Sequence, residues 1–158
     1  GASTGGFTDC LLQRGAKKVF AIDVGYGQLA WKLRQDERVV VMERTNARHL
    51  ETLPEPVDII VGDLSFISLT KILPAVMRLA GPRSIGVLLI KPQFEVGREA
   101  VGKGGVVREG AERSAAIQKV VEVAEAAGAT CHGVMDSPVP GAKKGNIEAL
   151  IHLGLGPL

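Results

Sequence analysis

Three charged residues stand where apolar segments of this chain end or are interrupted. Asp63 and Lys91 each follow a run of apolar residues, and Glu148 lies inside the largely apolar segment 146–151. Charged groups are costly to bury unless they pair, so a lysine and two carboxylates at neighbouring strand ends suggest a reactive site. Desolvation can make a lysine a general base, whereas acidic neighbours hold it in the charged form. The same pattern also fits an ion-paired set at the edge of a sheet.

A second group of residues suits a nucleotide-like ligand. Gly1, Gly5 and Gly6 precede a helical pattern, where side chains would block the approach of the backbone to a ligand and the helix presents unpaired N–H groups. Asp23 follows roughly 20 residues later, at the position where an acid accepts hydrogen bonds from ribose hydroxyls. Dinucleotide-dependent enzymes use the same device, and Asp23 could instead hold the turn before Gly25.

Strand and helix patterns alternate along the chain. The predicted strands are 19–22, 39–42, 58–61, 85–90, 131–135 and 147–153, and the predicted helices are 7–14, 28–35, 69–79 and 111–127. This alternation predicts a doubly wound, mostly parallel α/β sheet. The helix-free connection between the last two strands predicts that they pair antiparallel. A glycine loop of this kind normally follows a buried central strand, so we expect the chain to lack its first central strand and to be part of a longer protein.

The composition of the chain limits the classes of function that it could have. A chain of 158 residues with 46% apolar content can form one domain with a core, and its formal net charge of +2 permits a nucleic-acid partner without requiring one. Cys10 and Cys131 are far apart, and the cysteines and histidines show no metal-ligand spacing, so we expect no metal and a reducing, cytoplasmic location. No apolar run reaches the ~18 residues of a membrane span. Trp31 is predicted to pack in the core, and Phe66 either to shape a substrate pocket or to fill the core.

Seven motifs together resemble the hemolysin A-like (TlyA) family of FtsJ-like, S-adenosylmethionine-dependent RNA 2′-O-methyltransferases. They are residues 1–9 (GASTGGFTD), 23–29 (DVGYGQL), 43–48 (ERTNAR), 63–68 (DLSFIS), 91–95 (KPQFE), 102–108 (GKGGVVR) and 144–148 (KGNIE). The resemblance spans nearly the whole chain, and the combination is far more specific than any single motif.

The resemblance implies a Rossmann-like methyltransferase fold with S-adenosyl-L-methionine as cofactor. The residues that it assigns to the cofactor are Gly1, Ala2, Ser3, Thr4, Gly5 and Gly6 beside the methionine part, Asp23 at the ribose, Asn46 and Ala47 at the adenine, and Asp63. Of the family's catalytic Lys-Asp-Lys-Glu set, Asp63, Lys91 and Glu148 match the last three members. No metal is required.

The resemblance also bears on domain organisation. The family's first catalytic lysine, its central strand and its small S4-like RNA-binding domain all lie upstream of the glycine loop and have no counterpart in these 158 residues. We therefore expect residues 1–158 to form one FtsJ-like methyltransferase domain that is inactive alone, while the complete protein is active.

The substrate implied by the resemblance is ribosomal RNA, free or in ribosomal subunits, with cytidine as the modified base. Lys103, Arg108, Lys143 and Lys144 lie in two long loops near the predicted site, where they could contact RNA phosphates or simply be solvated. The residues themselves select neither a base nor an oligomeric state.

Three other functions remain open. The glycine loop and Asp23 permit a dinucleotide-binding oxidoreductase, although no separate catalytic domain follows. The family's historical name suggests a membrane-lytic hemolysin, but the sequence shows no basic amphipathic helix or membrane span. A binding module without catalysis is the last alternative, against which Asp63, Lys91 and Glu148 argue. Cofactor titration separates the first of these from a methyltransferase.

Overall fold

The computed structural model describes residues 1–107, 110–141 and 146–156. The chain divides into two compact units, which comprise Gly1–Leu50 and Glu51–Leu158. Each unit contains its own sheet, with two strands in the first unit and four in the second. The strand expected before Gly1 concerns residues outside this sequence and stays a prediction.

The first unit is a parallel strand pair with short helices. Its elements are α1 (Gly6–Gln13), β1 (Val19–Ile22), α2 (Trp31–Arg34), β2 (Val39–Met42) and a 3₁₀ turn (Ala47–His49). The strands pair in parallel with Val19 opposite Val39, and the buried core consists of Leu12, Val19, Ala21, Leu29 and Leu33. Both strands have the bounds that the sequence predicts, because each is a four-residue apolar run flanked by polar residues.

Two predictions for α2 are wrong. The helix begins at Trp31 rather than at residue 28, because Ala30 is extended and its N–H donates to the carbonyl of Thr4 at 3.0 Å. Only one turn remains, and it buries Leu33 in the core of the unit. Trp31 is 74% exposed instead of packed, since a single turn cannot bury two faces.

The second unit is a mixed four-stranded sheet with two helices. Its elements are β3 (Val57–Gly62), α3 (Leu69–Leu79), β4 (Ala80–Ile90), α4 (Ala111–Ala126), β5 (Thr130–Asp136) and β6 (Ala149–Gly154). The strand order is β3-β4-β6-β5; β3 and β4 are parallel, and β6 is antiparallel to both β4 and β5. The prediction of an antiparallel last strand is therefore confirmed.

The core of this unit lies between the sheet and the two helices. Six side chains that are at most 1% exposed come from β4, β6 and the two helices: Leu73, Leu88, Ile90, Val120, Ile151 and Leu153. In the second half of β4, Gly86, Leu88 and Ile90 are buried, Val87 and Leu89 are half-buried and Ile85 is 36% exposed, so one face of the strand is buried more completely than the other. The strand begins at Ala80, whereas the sequence predicts that it begins at residue 85. Ala80 pairs with Val57 and Ile85 pairs with Ile59, and the segment between the two pairs is irregular, with Arg83 at φ 59°.

Candidate functional site

The glycine loop of the first unit is held against β1. Ala2 donates its N–H to the carbonyl of Ile22 at 3.0 Å, and Gly5 donates to the carbonyl of Ala2 at 3.0 Å. Gly5 has φ 108° and precedes α1 without a side-chain cap. A Cβ at Gly5 would collide with Leu33 and lie 2.9 Å from the Leu29 side chain. Glycine is required here by both backbone conformation and packing.

Gly6 differs from Gly5 in its surroundings. It lacks a positive φ, and an added Cβ would meet no atom within 4 Å among the described residues. Packing among the described residues therefore gives no reason for glycine at this position.

Asp23 follows β1 and accepts two backbone hydrogen bonds. Ser3 donates its N–H to Oδ2 at 2.7 Å, and Gly25 donates to Oδ1 at 3.0 Å. Burial raises the pKa of Asp23, but the N–H groups of Gly25, Ser3 and Val24 and the positive charge of the N-terminal amine together bring the pKa below its usual value. The carboxylate is thus ionised and keeps lone pairs for further donors. Asp23 both shapes the turn before Gly25 and stands at a concave surface.

That surface is a pocket within the first unit. It is lined by Ala2, Ser3, Ala21, Asp23, Gly25, Tyr26, Gln28, Leu29, Val41 and Glu43. Three of the residues assigned from the sequence, Ala2, Ser3 and Asp23, are among them. Asn46 and Ala47 lie instead at the adjoining 3₁₀ turn, where Asn46 Oδ1 accepts the N–H of Arg48 at 3.1 Å.

The pocket also contains residues that sequence reasoning missed. Glu43 accepts the N–H of Gly27 at 3.0 Å and pairs with the guanidinium of Arg34. The guanidinium of Arg44 lies 4.4 Å from the ring centre of Tyr26. A signal was present, because Glu43 directly follows β2 just as Asp23 follows β1.

The second unit brings Asp63, Lys91 and Glu148 together. Lys91 Nζ lies 2.5 Å from Asp63 Oδ1 and donates to Ser65 Oγ at 3.0 Å, and the lysine side chain is only 13% exposed. Burial raises the pKa of Glu148, the charge of Lys91 lowers it, and the charge of Asp63 raises it further. The net direction is upward, and these charges act on Glu148 because all three groups share one small volume.

The carboxylates of this cluster are not fully satisfied. Asp63 Oδ1 and Glu148 Oε2 are buried, and neither accepts a hydrogen bond from any residue in the described ranges. The close approach of Lys91 to Asp63 is an ion pair without hydrogen-bond geometry. Buried acceptors without donors cost stability, so packing alone does not account for this group of residues.

The segment before β6 fixes the position of Glu148. Ser137 donates its N–H to the Glu148 carbonyl at 2.7 Å, and Arg113 Nε donates to the carbonyl of Ile147 at 3.1 Å. Asn146, which is 2% exposed, accepts the N–H of Val107 at 2.9 Å and donates to the carbonyl of Gly105 at 2.8 Å. We predicted no role for Asn146 from the sequence, although a polar residue in a largely apolar segment indicates a buried hydrogen-bonding position.

The predicted RNA contacts are only partly described. Lys103 is exposed and lies in a 3₁₀ turn (Lys103–Gly105), in the loop that Asn146 holds. Arg108, Lys143 and Lys144 lie outside the described residues. Phe66 is 90% exposed at φ 65°, with its ring centre 5.2 Å from that of Phe94, so it does not fill the core.

Two absences hold for the described part of the chain. Within it, no group of three or more His, Cys, Asp or Glu side chains could hold a metal ion. Its helices include none with the length and apolar content needed to cross a membrane.

Comparison with known proteins identifies the family. The FtsJ-like methyltransferase model matches residues 1–155. The chain is 53% identical to the 16S/23S rRNA (cytidine-2′-O)-methyltransferase TlyA of Mycobacterium tuberculosis, over 97% of this chain and 58% of that protein. It is 46% identical to Hemolysin A of Brachyspira hyodysenteriae, over 96% of this chain and 64% of that protein. The chain thus spans less than two thirds of the length of these relatives.

Solved structures agree on the fold. A candidate hemolysin of Streptococcus thermophilus superimposes with a TM-score of 0.94 at 46% identity, over 99% of this chain and 57% of that one. An S-adenosylmethionine-dependent methyltransferase of Mesorhizobium loti shares the fold at 11% identity, with a TM-score of 0.71 over 98% of this chain and 88% of that one. The matches give no support to the oxidoreductase alternative. With a family model that covers nearly all of its residues, the chain belongs to the FtsJ-like methyltransferases.

Proposed function

We propose that this chain is the catalytic domain of an S-adenosylmethionine-dependent methyltransferase that modifies a ribose 2′-hydroxyl of ribosomal RNA. The observation that carries the proposal is the Lys91–Asp63 ion pair beside Glu148, in which the lysine side chain is 13% exposed and the aspartate side chain 41% exposed. The name of the Mycobacterium tuberculosis relative supports ribosomal RNA as the substrate and cytidine as the modified base.

The pocket of the first unit suits the cofactor. Its lining includes the apolar residues Ala2, Ala21, Leu29 and Val41, on which an adenosine-like group would rest, and the Asp23 carboxylate can accept hydrogen bonds from ribose hydroxyls. Residues 1–6 would lie beside the methionine part, with Asn46 and Ala47 near the adenine. When bound, S-adenosylmethionine supplies an electrophilic methyl group.

The second unit would supply the proton chemistry. A ribose hydroxyl is a weak nucleophile, so it must be oriented and must lose a proton. Lys91 Nζ, which is ion-paired with Asp63 here, would first lose its proton to solvent and would then accept the proton of the hydroxyl, so that Asp63 again pairs with an ammonium at the 2.5 Å separation seen here. Ser65 restricts the orientation of Nζ through its hydrogen bond. Glu148 would add negative charge that favours the protonated lysine.

The RNA and the rest of the protein are further parts of the proposal. Lys103, Arg108, Lys143 and Lys144 would contact RNA phosphates, because charged loop side chains position a nucleic acid without reading its sequence. The complete protein would also contain the S4-like domain and the first catalytic lysine, and it would act in the cytoplasm, where ribosomes are assembled. The greater length of the relatives is consistent with such additional domains.

The experiment is transfer of a labelled methyl group from S-adenosylmethionine to ribosomal RNA and to ribosomal subunits. We expect transfer by the complete protein, transfer that is slower by roughly 10²-fold or more in its Lys91→Ala variant, and none by residues 1–158 alone. Nuclease digestion should place the label on a ribose. Label on a base, or a Lys91→Ala variant as fast as the unchanged protein, would reject the proposed chemistry; turnover by residues 1–158 would show that the upstream lysine is dispensable.

A further inference from the structure

We propose that Glu95 is a positioning residue that holds Lys91 against Asp63 by joining the chain segments that follow β3 and β4. The role of Lys91 in catalysis rests on the proposed function, whereas the effect of Glu95 on the placement of Lys91 does not. Neither the sequence motifs nor the comparisons give Glu95 a role.

The Glu95 carboxylate binds the start of α3 with both oxygens. Ser68 Oγ donates to Oε2 at 2.5 Å, and the N–H of Leu69 donates to Oε1 at 2.7 Å. Residues 63–68, which contain Asp63 and Ser65, lead directly into this helix. Glu95 therefore holds the far end of the segment whose near end contacts Lys91.

The connection from Lys91 to Glu95 is a rigid turn. Phe94 donates its N–H to the carbonyl of Lys91 at 2.9 Å, and Glu95 donates to the carbonyl of Pro92 at 3.0 Å. Pro92 is buried and has a fixed φ. A displacement of Glu95 would therefore be transmitted to Lys91 rather than absorbed by the backbone.

The two segments meet at three successive points. From the strand ends outward, the contacts are Lys91 with Asp63, Phe94 with Phe66, and Glu95 with Ser68. The middle contact is between two aromatic rings, and the Phe66 ring is largely exposed, so this contact constrains the distance between the two segments only weakly. The hydrogen bonds of Glu95 give the outer end a defined geometry.

Helix capping alone does not explain Glu95. The Ser68 side chain already caps α3 by accepting the N–H of Thr70 at 3.1 Å. Burial raises the pKa of Glu95, and the two hydrogen bonds and the charge of Lys119 do not fully offset that effect. Burial of the Glu95 carboxylate therefore costs free energy, and the start of α3 does not need it because Ser68 already caps the helix. A role in joining the two segments accounts for its presence.

The first test measures the accessibility of Lys91 without an activity assay. The complete protein and its Glu95→Ala and Glu95→Gln variants are treated briefly with an amine acetylating reagent, and each lysine is quantified by mass spectrometry. We expect Lys91 to be modified about fivefold faster or more in Glu95→Ala, since the segments can separate. Glutamine has the same length: its Oε1 can accept the N–H of Leu69, and its Nε2 can donate to Ser68 Oγ in the reverse direction, so the labelling rate of Lys91 should stay near wild type. Lys32 of the first unit, whose side chain is 75% exposed, is the internal reference.

The second test is kinetic. Glu95→Ala should lower kcat for methyl transfer about tenfold or more and leave the KM for S-adenosylmethionine within about twofold, because a misplaced base loses rate rather than cofactor binding. Glu95→Gln should restore most of kcat. The matched control is Glu122→Ala on α4, which removes an exposed carboxylate with only a local hydrogen bond from Gln118.

The outcomes are distinguishable. Unchanged Lys91 labelling in a folded Glu95→Ala protein would overturn the inference about Glu95, whatever the activity. Faster labelling of Lys91 in a protein without methyl transfer would support the placement and reject the proposed function. If Glu95→Ala does not fold, Glu95→Asp decides, since a side chain one methylene shorter cannot keep both contacts and should also expose Lys91; unchanged labelling there overturns the inference.

Discussion

Asp23 of the first unit and Glu148 of the second are both carboxylates at the end of a strand or beside one, yet their pKa values shift in opposite directions. Asp23 accepts N–H groups from Ser3 and Gly25, and its pKa is lowered despite burial. Glu148 has a buried oxygen without a hydrogen-bond donor among the described residues, and burial raises its pKa. In the first unit, the backbone holds the Asp23 carboxylate in place as a hydrogen-bond acceptor. In the second unit, Asp63, Lys91 and Glu148 lie close together, and their partial burial costs free energy.

The same contrast extends to the surroundings of each carboxylate. The loop around Asp23 is held by backbone hydrogen bonds and by the buried Gly5. The Lys91 cluster is held by side chains from distant segments, among them Glu95 and Asn146. Binding in the first unit should therefore respond most to backbone changes, and chemistry in the second to side-chain changes.

The largest expected effect is on chemistry in the second unit. Lys91→Ala in the complete protein should lower the methyl-transfer rate by roughly 10²–10⁴-fold, the usual contribution of a general base. Affinity for S-adenosylmethionine should stay within a few-fold. Lys91→Arg should also fail, because guanidinium does not release its proton near neutral pH. Lys71→Ala is the control, and an active Lys91→Arg enzyme would contradict the role of Lys91 as base.

Removal of the Asp23 carboxylate should affect cofactor binding rather than the rate of methyl transfer. Asp23→Ala should weaken binding of S-adenosylhomocysteine by about 1–3 kcal/mol, since hydrogen bonds to a charged acceptor are lost. Isothermal titration calorimetry measures this effect, with Asp36→Ala as the control acid outside the pocket. Binding of NAD in place of the methyltransferase ligand would contradict the assignment of the pocket.

Substitutions at Gly5 and Gly6 should have different effects, one on stability and the other on cofactor binding. Gly5→Ala should lower the free energy of unfolding by about 1–3 kcal/mol, because alanine is strained at φ 108° and its Cβ would collide with Leu33. Gly6→Ala should leave stability nearly unchanged, since the added Cβ would contact no other element of the described part of the chain within 4 Å, and should weaken cofactor binding. Chemical denaturation and calorimetry on both variants test this. Equal loss of stability in the two would remove Gly6 as a ligand-facing position.

The smallest expected effect is on the pH dependence of stability, and it should have opposite signs in the two units. A raised pKa in Glu148 means that its contribution to stability is present below about pH 4.5 and is lost as pH rises through its folded pKa. A lowered pKa in Asp23 means that its contribution is present above about pH 3.8 and is lost as pH falls. Urea unfolding of Glu148→Gln and Asp23→Asn from pH 3 to 7 should remove these opposite slopes. Slopes of the same sign would contradict the comparison.

Much of the fold could be predicted from local pattern. The bounds of β1, β2 and α3 were predicted correctly, because short apolar runs end at polar residues and α3 has a serine cap. The errors were at Trp31, which is exposed, and at the start of β4. In both cases a contact with a residue far along the chain, Thr4 or Val57, overrode the local signal.

The sequence by itself determined which residue types lie at the strand ends, and hence that Asp63, Lys91 and Glu148 would converge. It also determined the family, through motifs spread over nearly the whole chain. Only the tertiary structure decided which donors reach which carboxylate, so it alone decided that the pKa of Asp23 is lowered and that of Glu148 is raised. The reason is that the positions of the strands along the chain follow from local periodicity, whereas burial and hydrogen bonding depend on segments as distant as Ser68 and Glu95 or Val107 and Asn146.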